Sequence, residues 1–351
     1  MNTFERVADL PLTVESVSRD RRESDTSSGF LRKTTIVSFS GDGEVGHGED
    51  VTYDAEDHDA LADTPDDVFG IKGSYDSFSD FSAALDDIDL FPTKDPERET
   101  SRHYRRWALE SAGLDLALRQ NGTDLATAVG RERDPVRFVV STRLGDPPSA
   151  DRVEMLLERD PNCEFKLDPT SEWDDELVAS LAAHDCVRIL DLKGKYEGTD
   201  VDQAPDPELY ERVVSGFPDA VVEDPAFTDE TRPLFDGHEA RVSWDYPITG
   251  VESVEALPFE PSWLNVKPSR FGTVQSLFDT IDYADERGMS LYGGGQFELG
   301  VGRDHIQLLA SVFYPGGPND VAPSGYNLPD PPADLAVSPL EPSDDPSGLE
   351  F

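Results

Sequence analysis

The sequence predicts an α/β protein built on a TIM-like (β/α) barrel, preceded by a small β-rich unit. From Val136 onward, short apolar runs of strand character alternate with helical or mixed stretches. Most of the runs close on a charged residue or a glycine: Lys166, Asp191, Glu223, Asp245, Lys267 and Gly294 follow one another at intervals of 22 to 32 residues. A closed barrel allots roughly 30 residues per unit and collects its active site at the C-terminal strand ends. A doubly wound sheet is the rival architecture, but its site uses one switch point rather than every strand.

In chain order, Thr34–Ser40 alternates polar and apolar residues, and Gly41-Asp42-Gly43 turns the chain into a second strand. Before it, the polar stretch from Arg19 to Phe30 reads as a mobile loop. Gly41, Gly43 and Gly46 have the spacing of a dinucleotide fingerprint, but Asp42, Glu44 and Glu49 would repel a pyrophosphate and no helix follows. A hairpin is the better reading. Residues 54–100 are very acidic, with a helix-like stretch at Phe78–Leu85, and residues 102–119 form a clear helix through Trp107, Ala112, Leu114 and Leu118. Strand candidates follow at Val136–Val140, Cys163–Leu167, Val187–Leu190, Ala220–Val222, Ala240–Val242, Trp263–Val266 and Ser290–Tyr292. Helical or mixed stretches such as Glu176–Ala183, Pro207–Ser215 and Val274–Glu286 separate several of them. Pro and Gly are frequent from Tyr314, and Glu341–Phe351 reads as a flexible acidic tail. The expected division is 1–100, 101–325 and a C-terminal segment 326–351.

The chain of 351 residues carries 73 acidic against 30 basic residues, a formal charge of −43. Because the charges are interleaved with regular apolar segments, this reads as the surface of a folded halophile protein rather than disorder. Nucleic acid and anionic membranes are excluded as partners, and no apolar run approaches the roughly 20 residues of a bilayer span. The first residues are no signal peptide, and two cysteines make neither a disulfide framework nor a zinc site. A cytoplasmic, reduced protein is expected, with room for a homo-oligomer.

Lysine is rare: only Lys33, Lys72, Lys94, Lys166, Lys193, Lys195 and Lys267 occur, and several stand at strand ends. Trp263-Leu-Asn-Val-Lys267 runs straight into Pro268, which breaks the strand and leaves an ammonium at its end. Around a barrel mouth the order becomes lysine, three acids, lysine, then glycines. Singly, such acids read as capping or turn residues. Converging on one point they repel each other unless a cation sits between them, and oxygen-only ligands suit Mg²⁺.

These motifs together resemble the enolase superfamily, closest to its muconate-lactonising subgroup, across roughly residues 10–325. Glu164-Phe-Lys166-Leu-Asp-Pro169 resembles that subgroup's Lys-x-Lys strand. Asp191-Leu-Lys193 stands where the family has Asp-x-Asn, and Glu223-Asp-Pro225 where it has Glu-x-Pro. Asn265-Val-Lys267 resembles the second lysine strand, and Gly294-Gly-Gln-Phe-Glu298-Leu-Gly300-Val-Gly302-Arg303 the seventh-strand signature. Gly46-His-Gly-Glu49 resembles the end of the N-terminal α+β capping domain.

The resemblance implies Asp191, Glu223 and Asp245 as Mg²⁺ ligands and Lys166 and Lys267 as acid/base groups. Lys193, Gly294, Gly295 and Glu298 are the substrate candidates. The substrate is a small carboxylate whose α-proton is removed through an enediolate, by a racemase, cycloisomerase or o-succinylbenzoate-synthase-like dehydratase. Glu164 replaces a lysine, Lys193 an asparagine, and Tyr246 follows Asp245 where an acid is usual. Asn319-Asp320-Val-Ala322 lacks the Asp-x-Asp of the dipeptide epimerases. These departures keep a second expectation alive, a catalytically silent barrel that binds an anionic metabolite. In it Glu164, two residues from Lys166, would pair with that lysine.

Overall fold

The computed structural model describes residues 2–196, 199 and 201–351, so Met1 lies outside the described residues. The N-terminal half is a three-stranded antiparallel sheet in the order β2-β3-β4, from β2 (Ser16–Asp25), β3 (Leu31–Gly41) and β4 (Glu44–Asp50). β1 (Leu12–Val14) pairs separately with β5 (Gly73–Tyr75). The Asp42-Gly43 turn joins β3 to β4, with both residues at positive φ, the backbone a two-residue hairpin requires.

The stretch expected as a mobile loop from Arg19 is instead most of β2. It pairs in unbroken register from Ser16↔Ser40 to Asp25↔Leu31, leaving only 26–30 as a turn. Its exposure alternates from Ser16 to Arg22, as suits an edge strand with one face in water. Arg19 turns inward, where its guanidinium donates to the carbonyls of Leu61 and Thr64.

β4 lies flat on the long helix Thr100–Gln120. A Cβ on Gly46 would come within 2.2 Å of the Leu116 nitrogen, and one on Gly48 within 2.0 Å of the Ala108 oxygen. Beside it, buried Arg105 donates from Nε to Asp50 at 2.8 Å while its guanidinium stacks on Phe91.

The second half is a sheet of seven parallel strands in the order β12-β11-β10-β9-β8-β7-β6. These are β6 (Val140–Thr142), β7 (Phe165–Leu167), β8 (Val187–Asp191), β9 (Val221–Glu223), β10 (Val242–Trp244), β11 (Trp263–Val266) and β12 (Ser290–Gly293). Most of the helices start on a legible signal. The Asp174 side chain caps Asp175–Ala183, Asp206 caps Pro207–Gly216 with proline at the first turn, and Thr273 caps Val274–Arg287.

The sheet curls until its edges nearly meet. In place of an eighth strand, Asn319 bridges to Phe138 and Asp320 to Gly294. Val139, Ile189, Val221 and Tyr292 fill the interior below the mouth.

The stretch Glu341–Phe351, read as a flexible tail, is docked in the structure, as is Leu340 before it. Leu340 exchanges both backbone hydrogen bonds with Val136 at 2.8 Å. Leu349 is buried and donates to Asp115, and Arg119 pairs with Glu350. Single apolar residues spaced among acids and prolines carry no periodicity, so their docking leaves no pattern to read.

Candidate active site

Three carboxylates close consecutive strands: Asp191 ends β8, Glu223 ends β9 in register with it, and Asp245 follows β10 directly. Side chains alternate along a strand, so each acid shares its inward face with Ile189, Val221 or Ser243 two residues before it. All three are fully buried, and each offers an oxygen within 4.8 Å of the others, a set that could hold a metal ion.

Four cations balance them. Lys166, from β7, pairs with Glu223 and lies 3.5 Å from Asp191. Lys193 pairs with Asp191, on a backbone at φ 55 that turns its ammonium back to the strand end. Lys267 lies 2.8 Å and Arg270 3.3 Å from Asp245. In the sheet order β7 and β11 flank the three acid strands, so Lys166 and Lys267 stand on opposite sides of the triad.

The electrostatics divide the triad. Burial, then the charges of Asp191 and Asp245, hold the Glu223 carboxyl well above its ordinary range despite Lys166. Burial raises the other two as well, but Lys193 and Lys166 outweigh it at Asp191, and Arg270 and Lys267 at Asp245; both stay low. Burial would lower Lys166, yet Glu223 and Asp191 keep its ammonium above the usual range. Asp245 Oδ1 has no hydrogen-bond partner. Oxygen donors that repel one another, one of them without a hydrogen bond and met only by the Arg270 ion pair, fit a hard divalent cation.

Lys166, Lys193 and Lys267 face one cavity of about 530 Å³, walled by Phe30, Leu31, Tyr53 and Tyr104 from the N-terminal half and by Tyr246, Gln296 and Phe297 from the barrel. Gly295 also lines it, whereas Gly294 and Glu298, read as substrate-facing, do not. Glu298 turns back to accept from the Gln296 N–H and to pair with Arg303. The two glycines make room for protein, not only for ligand. A Cβ on Gly294 would meet Asn265 Oδ1 at 2.6 Å and Lys267 Cε at 2.7 Å, and one on Gly295 would meet Glu298 at 2.3 Å.

Glu164 does not pair with Lys166. Its carboxylate is held near the entry ends of the strands by both nitrogens of Arg137, at 2.6 and 2.7 Å, and by Arg188 at 2.6 Å. Two residues along a strand are about 6.6 Å, which puts Glu164 a full layer below the mouth. His305, buried on the helix Val301–Phe313, has its pKa pushed down to about 4 by burial.

Several site residues carried no readable signal. Asp320 lines the cavity 3.8 Å from Lys166. Tyr196 donates to Asp245 at 2.9 Å and packs on Tyr246. Asp224, fully buried, accepts the N–H groups of Asp245 and Tyr246 and so ties β9 to the end of β10. Asp224, within Glu223-Asp-Pro225, and Asp320, within Asn319-Asp320-Val-Ala322, lay inside motifs that could have drawn attention to them.

Solved structures of the enolase superfamily share this architecture. The dipeptide epimerase from Methylococcus capsulatus, complexed with Mg and the dipeptide L-Arg-D-Lys, matches 97% of this chain and 99% of its own. Its TM-score is 0.66 at 17% identity. The muconate cycloisomerase from Pseudomonas fluorescens matches 89% of this chain and 87% of its own, with a TM-score of 0.65 and 17% identity. In sequence, the o-succinylbenzoate synthase of Bacillus subtilis (strain 168) is 25% identical over 225 residues, 62% of this chain and 58% of that protein's length.

The fold is thus that of the enolase superfamily, a capping domain on a TIM-like barrel. The chain belongs to the family described as "Domain of unknown function (DUF8230)". That family's N-terminal domain matches residues 5–128 and its C-terminal domain residues 132–328. No helix among the described residues is long and apolar enough to cross a membrane.

Proposed function

We propose that this protein is a Mg²⁺-dependent isomerase or lyase that removes the proton alpha to a substrate carboxylate. The observation that carries the reading is the buried triad of Asp191, Glu223 and Asp245 between Lys166 and Lys267, two lysines that line one cavity. A proton beside a carboxylate is very weakly acidic because its loss creates a doubly charged enediolate. A divalent cation held by the three acids supplies the charge that stabilises that enediolate, as is known for this superfamily's lysine-and-Mg²⁺ sites.

The protein's own groups do the rest. A lysine on one side of the substrate takes the α-proton, and the lysine on the other side returns one or holds the developing charge. As a base, Lys166 must part with the proton that Glu223 and Asp191 stabilise on it. That proton would be easier to give up if Glu223 and Asp191 were engaged in holding a divalent cation. Phe30, Tyr53, Tyr104 and Phe297 wall the cavity with aromatic rings against which a substrate can pack. The substrate is a small carboxylate, and the reaction is racemisation, cycloisomerisation or o-succinylbenzoate-synthase-like dehydration.

A second reading is a catalytically silent barrel that binds an anionic metabolite. It is favoured by Lys193, whose ammonium already lies on Asp191. Proton exchange separates the two. In D₂O with Mg²⁺ and molar KCl, a panel of acylamino acids, succinylbenzoate precursors and muconates is followed by NMR. The enzyme reading expects α-deuteration that falls 10²–10⁴-fold in Lys166→Ala and in Lys267→Ala, the usual worth of an acid/base group. Losses within a few-fold at both positions, or no exchange from the parent across the panel, would refute it.

A further inference from the structure

Glu223 is held differently from its two partners. Its Oε1 faces Lys166, while Oε2 accepts from two side chains of the barrel wall: the Tyr292 hydroxyl, and Asn265 Nδ2 at 3.0 Å. Asn265 and Tyr292 are register partners on β11 and β12, so both point inward side by side. The Tyr292 oxygen also lies 2.8 Å from Ser243 Oγ on β10. A phenol that donates to a carboxylate has no second proton to give, so Ser243 donates to Tyr292 and Tyr292 to Glu223. All four residues are buried, at 1% exposure or less.

We infer that Tyr292 is a positioning residue: with Asn265 it pins Oε2 of Glu223 and leaves Oε1 alone to be offered to the cation. This rests on the cation reading proposed above. Fixing a carboxylate as a one-oxygen ligand orients it before the ion arrives and keeps the second oxygen from competing for the charge. Partners of this kind, one shell out from a metal, are worth about 10–100-fold in metal affinity. Hydrophobic burial of the ring against Val139, Ile189 and Val221 is a separate contribution, which a phenylalanine retains.

The test measures Mn²⁺ affinity by electron paramagnetic resonance on the full chain in molar KCl, with urea unfolding of the metal-free protein alongside. Tyr292→Phe is expected to weaken Mn²⁺ binding at least tenfold while moving the metal-free unfolding midpoint little. Ser243→Ala, which leaves the tyrosine hydroxyl on Glu223, is expected to weaken it less. If Tyr292→Phe yields no folded protein, Asn265→Leu removes the other donor to Oε2 and carries the same expectation. A Mn²⁺ affinity within threefold of the parent, in Tyr292→Phe or in its substitute, overturns the assignment and leaves the cation reading standing. A parent that binds no Mn²⁺ at all overturns both.

Discussion

Glu49 joins the two halves of the molecule, and its removal is predicted to destabilise the fold. It lies on β4, 1% exposed, and its carboxylate accepts four hydrogen bonds from three backbone N–H groups of the barrel. Oε1 takes Leu299 at 2.7 Å and Gly300 at 3.2 Å; Oε2 takes Gly300 at 3.0 Å and Gly302 at 2.8 Å. Those N–H groups open the helix Val301–Phe313, whose first turn has no partners of its own.

Glu49→Ala leaves three buried donors unmet. At about 1–3 kcal/mol each the sum is roughly 3–6 kcal/mol, once water entering the vacated space is allowed for. An opposing contribution is visible, since burial and the nearby charge of Glu298 raise the pKa of Glu49 and make its ionised form costly. Glu49→Gln removes that cost but turns an amide N–H₂ toward the backbone donors, so about 2 kcal/mol is expected for it. The assay is urea unfolding in molar KCl, comparing parent, alanine and glutamine variants at equal slope. An alanine variant within about 1 kcal/mol of the parent would refute the reasoning, because three unmet buried donors cannot be that cheap.

Acid should expose the Asp50–Arg105 pair. Burial raises Asp50, but Arg105 and His58 outweigh it and bring its pKa to about 2 from an ordinary 3.8. A depressed folded pKa gives stability that is full above pH 4 and lost as pH falls toward 2, worth about 2 kcal/mol here. Asp50→Asn should flatten the stability-against-pH curve over that window, and an unchanged slope would contradict the pairing. With 73 acids against 30 bases, diluting the salt should lower the thermal midpoint as carboxylates lose their screening. Equal midpoints in dilute buffer and molar KCl would remove the halophile reading.

The parts legible in the sequence were those in which one local rule determines position. Pro268 after Trp263–Val266 marked a strand end, and the lysine between them had to stand at the mouth. The recurrence of Asp191, Glu223 and Asp245 at the ends of successive apolar runs marked consecutive strands, and period two put each acid on one face. What stayed illegible depends on distance across the barrel. Tyr292 and Asp320 are ordinary residues until the sheet curls and brings β12 over β9, or residue 320 against β7. Glu164 misled because two-residue spacing specifies a face but not a layer, and Arg137 and Arg188 hold it in the lower one. The polar run Arg19–Ser24 misled because an edge strand with one wet face has the composition of a loop.

The two residues that stand in for an eighth strand give the cylinder a seam. Asn319, fully buried, donates through Nδ2 to the carbonyls of Arg137, Tyr314 and Gly317 and accepts the Gly293 N–H through Oδ1, stitching both margins with one side chain. The next residue is Asp320, beside Lys166. A missing stave defines where such a cylinder parts first under strain, and here that line runs beside Lys166, the lysine proposed as an acid/base group. Mechanical closure and local charge thus hang on a single peptide unit, and loosening the stitch at Asn319 alters both together.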